Sequence, residues 1–283
     1  MPHEECFRKR TDCKMTYNKI MTTKNRITLL HTDILKDPHI YDLYYGQMPE
    51  DRQKKIDRFR FDKDKRLSLG AGILLKLALD QAGISLTRPN GTGTADDTDA
   101  GYSQRKIVEL SFSEQGKPFI KDRDDLYFNL SHSGQLAACV LSDRPVGIDI
   151  EGRQTFKESL IRRVFAQEDL ALAKRAEREK ELSLDKICTL LWTVKESVMK
   201  YFGKGLSMDP AGIRVVSAEK KNGSVWDWKI AGYEDIYVRS WPIKRPGINP
   251  LPPESRLPED YQLSICSEYR DFDAEPEWIA FGE

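Results

Sequence analysis

Val146-Gly147-Ile148-Asp149-Ile150-Glu151 decides how this chain reads, together with Trp192-Thr193-Val194-Lys195-Glu196-Ser197-Val198-Met199-Lys200 further on. A strand turns successive side chains to opposite faces, so Asp149 and Glu151 share one side and Ile148 and Ile150 the other. At about 4–5 Å and an effective dielectric of about 20, two such carboxylates repel by roughly 3–4 kcal/mol. A hard divalent cation removes that cost, and oxygen ligands are what Mg²⁺ takes. Glu196, on a helix, is the candidate third carboxylate. A lone Asp-x-Glu would equally suit the solvent face of an edge strand. Gly147 tips the reading, because it suits close approach of a ligand or of another backbone.

The helix of 187–202 sharpens this. At about 100° per residue, Ile187, Leu190, Leu191, Val194, Val198, Tyr201 and Phe202 form one core stripe. Glu196 lies opposite, flanked by Trp192 and Met199, which places it in a half-buried cleft rather than in open water. The competing reading is an i,i+4 surface pair of Glu196 with Lys200. Gly203 or Gly205 supplies the left-handed cap.

Working outward, the 283 residues allow one large or two ordinary domains, and Lys+Arg equals Asp+Glu at 45 each. That balance argues against a general nucleic-acid binder. Five cysteines, at 6, 13, 139, 188 and 266, have no metal-ligand spacing and read as free thiols in a reducing compartment. No stretch is long and apolar enough for a membrane span, and no secretory signal opens the chain, so the expected location is the cytoplasm. No P-loop, nucleophile elbow, zinc pattern or dinucleotide fingerprint is present.

Along the chain, residues 1–25 read as a disordered tail. A strand at Ile27–His31 precedes helical patterns at Pro49–Phe61 and Asp62–Ala82, the second ended by Gly83. Residues 87–104 are a small, polar, flexible insert. Strand-like runs follow at Ile107–Ser113, Leu126–Ser131, Leu136–Ser142 and 146–151. Helical segments cover about 157–182 and 185–202, with Glu168–Leu182 taken as a solvated face. Strands return at about 212–218, 224–230, 235–241 and 261–267, interrupted by a proline-rich loop at 242–258. The tail Trp278-Ile279-Ala280-Phe281 is apolar enough to dock on the body. Helices and mostly antiparallel strands in two batches imply an α+β fold in two halves, 26–143 and 144–283.

Further clusters are weaker one by one. Asn129-Leu130-Ser131-His132-Ser133-Gly134 gathers hydroxyls, an imidazole and backbone donors as an anion site needs, though a hydrogen-bonded turn would look the same. Gly116-Lys117-Pro118 presents a lysine at a turn. Arg52, Lys54, Lys55, Arg58, Lys63, Lys65 and Arg66 are either a solvated helix face or a grip on phosphate oxygens.

Taken in order, Gly116-Lys117-Pro118, Asn129-x-Ser131-His132-Ser133-Gly134, Gly147-Ile148-Asp149-Ile150-Glu151 and Trp192-x-x-Lys195-Glu196-x-x-x-Lys200 with Gly203-Lys204-Gly205-Leu206 resemble the Sfp-type 4′-phosphopantetheinyl transferases. The resemblance covers roughly residues 27–270, without the 87–104 insert or the 242–258 loop. It implies two similar α+β halves related by a pseudo-twofold, with coenzyme A in the cleft between them. It implies Mg²⁺-dependent transfer of the phosphopantetheine arm to a serine of an acyl or peptidyl carrier protein, releasing 3′,5′-ADP.

By motif position, Asp149, Glu151 and Glu196 would hold Mg²⁺ on the pyrophosphate, with Asp149, Glu196 and Lys200 as the catalytic set. Glu196 would be the base for the serine hydroxyl. Ser131 and His132 would contact phosphates, His132 the 3′-phosphate, and Lys195 and Lys200 would belong to the coenzyme A site. Gly116, Lys117 and Pro118 would line the adenine side. The basic pair of the family's first helix corresponds to Arg52 and Lys55 in one register and to Lys54 in another, with Arg66 following. Gln115 stands where some relatives have an aromatic. Carrier docking is expected near Ile161-Arg162-Arg163-Val164-Phe165, and the chain is expected to be monomeric.

Two rivals remain at this point. One is a metal-dependent phosphohydrolase using the same three carboxylates on another nucleotide, with water as nucleophile. The other is a non-catalytic module that binds a carrier protein and needs no carboxylate triad.

Overall fold

The computed structural model describes residues 25–86, 106–179, 182–221, 224–244, 261–270 and 275–280. The 87–104 insert, most of the expected tail and most of the proline-rich loop lie outside them. The first half contains β1 (Arg26–His31), α1 (Pro38–Tyr45), α2 (Glu50–Asp57), α3 (Asp62–Gln81), β2 (Ile84–Leu86), β3 (Lys106–Val108), β4 (Leu110–Phe112), β5 (Pro118–Ile120), β6 (Tyr127–Ser133) and β7 (Leu136–Ser142). The second contains β8 (Val146–Gly152), α4 (Glu158–Val164), α5 (Gln167–Arg178), α6 (Leu184–Phe202), β9 (Val215–Lys220), β10 (Trp226–Ile230), β11 (Tyr237–Ile243), β12 (Tyr261–Ser267) and β13 (Glu277–Trp278).

The two main sheets run β13-β1-β7-β6 and β8-β12-β11-β10-β9. In the first, β1 is antiparallel to β7 and β7 to β6. In the second, β8 is antiparallel to β12 and β12 to β11. Each sheet carries one long helix, α3 on β1, β6 and β7, and α6 on β8, β11 and β12. The alternation of strand faces decides the layering. Ile27, Leu29, Ala138 and Val140 meet Ile148, Ile150, Leu263 and Ile265 in a core shared by both sheets. Leu30, Ala137, Cys139 and Leu141 turn the other way into the core beneath α3. Val238 and Cys266 do the same beneath α6. The order of layers is therefore helix, sheet, sheet, helix. The mixed α+β content expected from the pattern is what the structure has.

α6 realises its amphipathic stripe: Ile187, Leu190, Leu191, Val194 and Val198 are all buried. It ends at Gly203, which takes the left-handed cap (φ 67°, ψ 14°) while the Lys204 amide donates to the Met199 carbonyl. Gly147 is explained by this helix. A Cβ there would fall 2.0 Å from the Ser197 carbonyl oxygen and 2.4 Å from the Tyr201 nitrogen, so the close approach is to a backbone. The free edge of β8 lies against β6, whose side chains replace a ladder: Asn129 Oδ1, Ser131 Oγ and Ser133 Oγ accept from the amides of Ile148, Ile150 and Gly152.

Several expectations change. The run 107–113 is two strands, β3 and β4, which pair with different partners, β2 and β5. The segment 157–182 breaks into α4 and α5. Glu168–Leu182 is not all solvated, because Asp169 is fully buried. Trp278 and Ile279 do dock: β13 runs parallel to β1, and the Ile279 amide donates to the Leu29 carbonyl.

Candidate active site

A pocket of about 870 Å³ opens between α2, α3 and β4–β6 on one side and β8 with α6 on the other. That is the size of a cofactor-binding cavity. Asp149, Glu151, Glu196, Lys200, His132, Arg52 and Lys55 all line it, so motifs far apart in sequence meet on one surface.

The acidic side rests on the β6–β8 seam. Ser131 Oγ donates to Asp149 Oδ1 at 2.8 Å, and Lys200 Nζ donates to both at 3.0 Å and 2.6 Å. Ser133 Oγ donates to Glu151 Oε2 at 2.6 Å, and Gln154 Nε2 donates to the same oxygen at 2.8 Å. The hydroxyls of 131 and 133 thus serve twice, binding β8 amides and steering its carboxylates. Burial, then the negative charges of Asp149 and Glu151, push the Glu196 carboxyl up to about 7 against a partial pull from Lys200. Burial, with Asp149 next, raises Glu151 as well. Like charges held out of water favour the neutral acid.

The basic side is built by α2, α3 and β6. Burial brings the Arg52 guanidinium down to about 10, while its Nη2 donates to the Ser68 carbonyl at 2.6 Å. Burial and then Arg52 lower Lys55. The His132 imidazole is held below its ordinary range by burial, then by Lys200, with Arg52 and Lys55 adding. Three cations converge on one imidazole, a repulsive arrangement that an anion relieves. Arg52 Nε and Ser68 Oγ are buried without partners in the same wall. Ser68 escaped the sequence reading; its one signal is the small-residue face Ser68-Ala71-Gly72 on α3, opened by removing side-chain bulk.

Other expected site residues lie elsewhere. Ser131 lines the pocket, but its hydroxyl is committed to Asp149, Lys200 and the Ile150 amide. Pro118 lines the pocket, whereas Gly116 and Lys117 do not. Gly116 takes φ 81° in the turn. Strand alternation turns Lys117 away from Pro118, and its Nζ donates to the carbonyls of Val146 (3.3 Å) and Tyr201 (3.0 Å). Burial brings that ammonium down to about 8. Lys117 ties the β4–β5 hairpin to the end of α6.

Arg66 is also outside the lining, since two residues along a helix is about 200° from Ser68. Lys195, about 100° around α6 from Glu196, is 0 % exposed and pairs with Asp169 at 2.6 Å. Its Nζ also donates to the carbonyls of Pro210 and Ile213, so it is a core strut and not a coenzyme ligand.

Residues 145–266 match the family model of the 4′-phosphopantetheinyl transferase superfamily. Over those residues the chain is similar to that superfamily. Similarity to individual transferases reaches further. A 4′-phosphopantetheinyl transferase of Bacillus subtilis is 26 % identical over 241 residues, 82 % of this chain and 87 % of the relative. The 4′-phosphopantetheinyl transferase Sfp of Bacillus subtilis (strain 168) is 27 % identical over 180 residues, 62 % of this chain and 70 % of the relative. The transferase gsp of Aneurinibacillus migulanus is 28 % identical over 171 residues, 60 % of this chain and 62 % of the relative. The resemblance to Sfp-type transferases carried by the motifs thus holds along most of the chain.

Among the described residues, no group of three or more His, Cys, Asp and Glu side chains is gathered tightly enough to hold a metal ion by itself. The donors of the pocket nonetheless fit a hard cation. Asp149 Oδ2 is buried with no hydrogen-bond partner, and the neighbouring carboxyls are oxygen donors under mutual repulsion. No helix among the described residues is long and apolar enough to cross a membrane.

Proposed function

We propose that this chain transfers the 4′-phosphopantetheine arm of coenzyme A to a serine hydroxyl of an acyl or peptidyl carrier protein, releasing 3′,5′-ADP. The observation that carries the reading is the division of one pocket into a cation set (Arg52, Lys55, His132, Lys200) and a carboxylate set (Asp149, Glu151, Glu196). A diphosphate with an additional phosphate on its ribose needs both. We read the matching sequence β1–α3–β6–β7 and β8–α6–β11–β12 as a pseudo-twofold, and the pocket as the ligand cleft between the halves. The chain would act as a cytoplasmic monomer.

Phosphoryl transfer asks for positioning and charge neutralisation more than covalent help. Arg52, Lys55 and His132 would grip the 3′-phosphate, with Ser68 Oγ and Arg52 Nε as further donors. Lys200, fixed by Asp149 and Ser131, would reach the diphosphate. Mg²⁺ held by Asp149, Glu151 and Glu196 would neutralise charge on the diphosphate oxygens. Glu196, poised near neutral pH, would take the proton of the attacking serine hydroxyl, which suits a general base. The new bond joins the serine oxygen to phosphorus as the bond from phosphorus to the ADP oxygen breaks.

The test is to incubate apo carrier proteins of fatty-acid, polyketide and peptide-synthetase type with coenzyme A and Mg²⁺. Gain of a phosphopantetheine mass on at least one is expected. No gain on any would overturn the reading, and release of phosphate from coenzyme A without a carrier would favour a phosphohydrolase.

A further inference from the structure

β8 ends at Gly152, and the polar residues after it, Arg153-Gln154-Thr155, form an exposed loop that is tied to the start of α6. The Gln154 backbone amide donates to Thr189 Oγ1 at 3.0 Å, and that hydroxyl donates onward to the Asp185 carbonyl at 2.7 Å. Thr155 Oγ1 donates to Asp185 Oδ2 at 3.0 Å. Thr189 is fully buried, so the anchor of this loop lies inside the protein. From that anchor the Gln154 side chain reaches back to β8. It donates to Glu151 Oε2, the oxygen that also accepts from Ser133 Oγ. Two donors fill the two lone-pair sites of one carboxylate oxygen. No donor among the described residues is placed on Oε1.

We infer that Gln154 is a positioning residue for the divalent cation, bracing Glu151 of β8 against the helix that carries Glu196 and leaving Oε1 free to ligate. This rests on the cation reading of the carboxylates and deepens it. Thr189 and Glu196 stand two helical turns apart, within about 20° of the same face of α6. The chain of contacts from Thr189 through Gln154 to Glu151 therefore spans the two elements whose carboxylates must meet. Two like charges gain by moving apart, and a glutamate held at one point only has rotamers open for doing so. A shared cation needs both carboxylates in place, and a ligand ordered beforehand loses less rotamer freedom when the ion binds. Gln154 lies outside the pocket lining, so it acts through Glu151 and not on the substrate.

The test titrates Mg²⁺ alone into wild type, Gln154→Met, Thr189→Val and Thr189→Ser at pH 8, by calorimetry and by its effect on Tm. Methionine keeps the length of the glutamine without its donor, and the position is exposed, so the variant should fold. Loss of a hydrogen-bond partner of a metal ligand predicts that Gln154→Met weakens Mg²⁺ binding about tenfold. The Mg²⁺ concentration giving half-maximal transfer should rise by the same factor, while kcat at saturating Mg²⁺ and Tm without Mg²⁺ stay near wild type. Thr189→Val should weaken Mg²⁺ in the same direction, and Thr189→Ser, which keeps the hydroxyl, should restore it. Wild-type Mg²⁺ affinity in Gln154→Met, in an enzyme that still transfers, overturns this inference alone. A lowered Tm without Mg²⁺ and an unaltered Mg²⁺ response would make Gln154 a strut of the fold and overturn it too. A wild type that transfers without any divalent cation removes the inference and spares the transfer reading, whereas one that neither binds Mg²⁺ nor transfers sinks both.

Discussion

Replacing Glu196 with Gln should abolish transfer and yet make the protein more stable at alkaline pH. The carboxyl is raised from 4.5 to about 7 by burial and by Asp149 and Glu151. A raised folded-state value means the fold prefers the neutral acid. The relative stability this confers is full below about pH 4.5 and is lost as pH rises through about 7, above which the charged form predominates. The shift corresponds to about 3 kcal/mol at one pKa unit per about 1.4 kcal/mol. Glu196 is only half-buried, so solvent screening reduces the expected cost to about 1–2 kcal/mol. Glutamine keeps the shape without the charge. E196Q should therefore match wild type near pH 4.5 and exceed it at pH 8, by roughly 2–6 °C in Tm for a chain of this size. Mg²⁺ should raise the Tm of wild type at pH 8 and raise that of E196Q much less. The assay is thermal unfolding followed by circular dichroism across pH 4.5–8.5. A variant no more stable than wild type at pH 8, or a difference that ignores pH, would refute the argument that three carboxylates are crowded at this site.

Lys195→Met should lower stability by about 3–5 kcal/mol, because it strands buried Asp169, while the soluble fraction keeps the wild-type KM for coenzyme A; a raised KM at intact stability would restore a ligand role. Gly147→Ala should prevent folding or separate α6 from β8, read as lost soluble yield or a collapsed Tm, since its methyl group would overlap the Ser197 carbonyl; a stable, active variant would contradict the packing. Arg52→Ala should raise KM for coenzyme A by about tenfold or more and abolish discrimination against the dephospho form. Preserved discrimination would remove Arg52 from the 3′-phosphate site. Lys117→Met should destabilise by about 1–3 kcal/mol through two stranded carbonyls, and a fold as stable as wild type would show that the hairpin is held by other means.

How much of this was legible depended on whether periodicity or tertiary contact set each position. α3, α6, β7 and β12 could be read closely because long amphipathic or fully apolar runs announce them. Helical phase set Glu196 opposite the core stripe but left a surface pair with Lys200 open, and the structure places it in the pocket lining. Its neighbour Lys195, equally prominent in the motif, could not be placed, because a buried lysine is recognised only through a partner. That partner, Asp169, sits inside a heavily charged segment that looks solvated. Lys117 misled for a similar reason, since the turn was visible but not the carbonyls of Val146 and Tyr201 that receive its ammonium. β3 and β4 read as one strand because nothing in 107–113 breaks the pattern, and only pairing to different partners divides them.

The position of the candidate site follows from the way the two sheets meet. A β8 edge left unpaired would expose a row of amides, which folded proteins cover or pair. Here the cover is three short polar side chains of β6 rather than a second ladder. Side chains hold the two edges farther apart than a backbone ladder does, which leaves room above the seam. They also bring hydroxyls to the base of that room, where Ser131 and Ser133 can orient Asp149 and Glu151. Removing the Ser131 hydroxyl would take a partner from Lys200, from Asp149 and from the Ile150 amide, so the seam and the charge arrangement are one structure. Ser131→Ala should accordingly cost stability and transfer together. Ser131→Thr, which keeps the hydroxyl, should recover more of both, and a Ser131→Ala enzyme with full activity would show that the carboxylates are oriented without the seam.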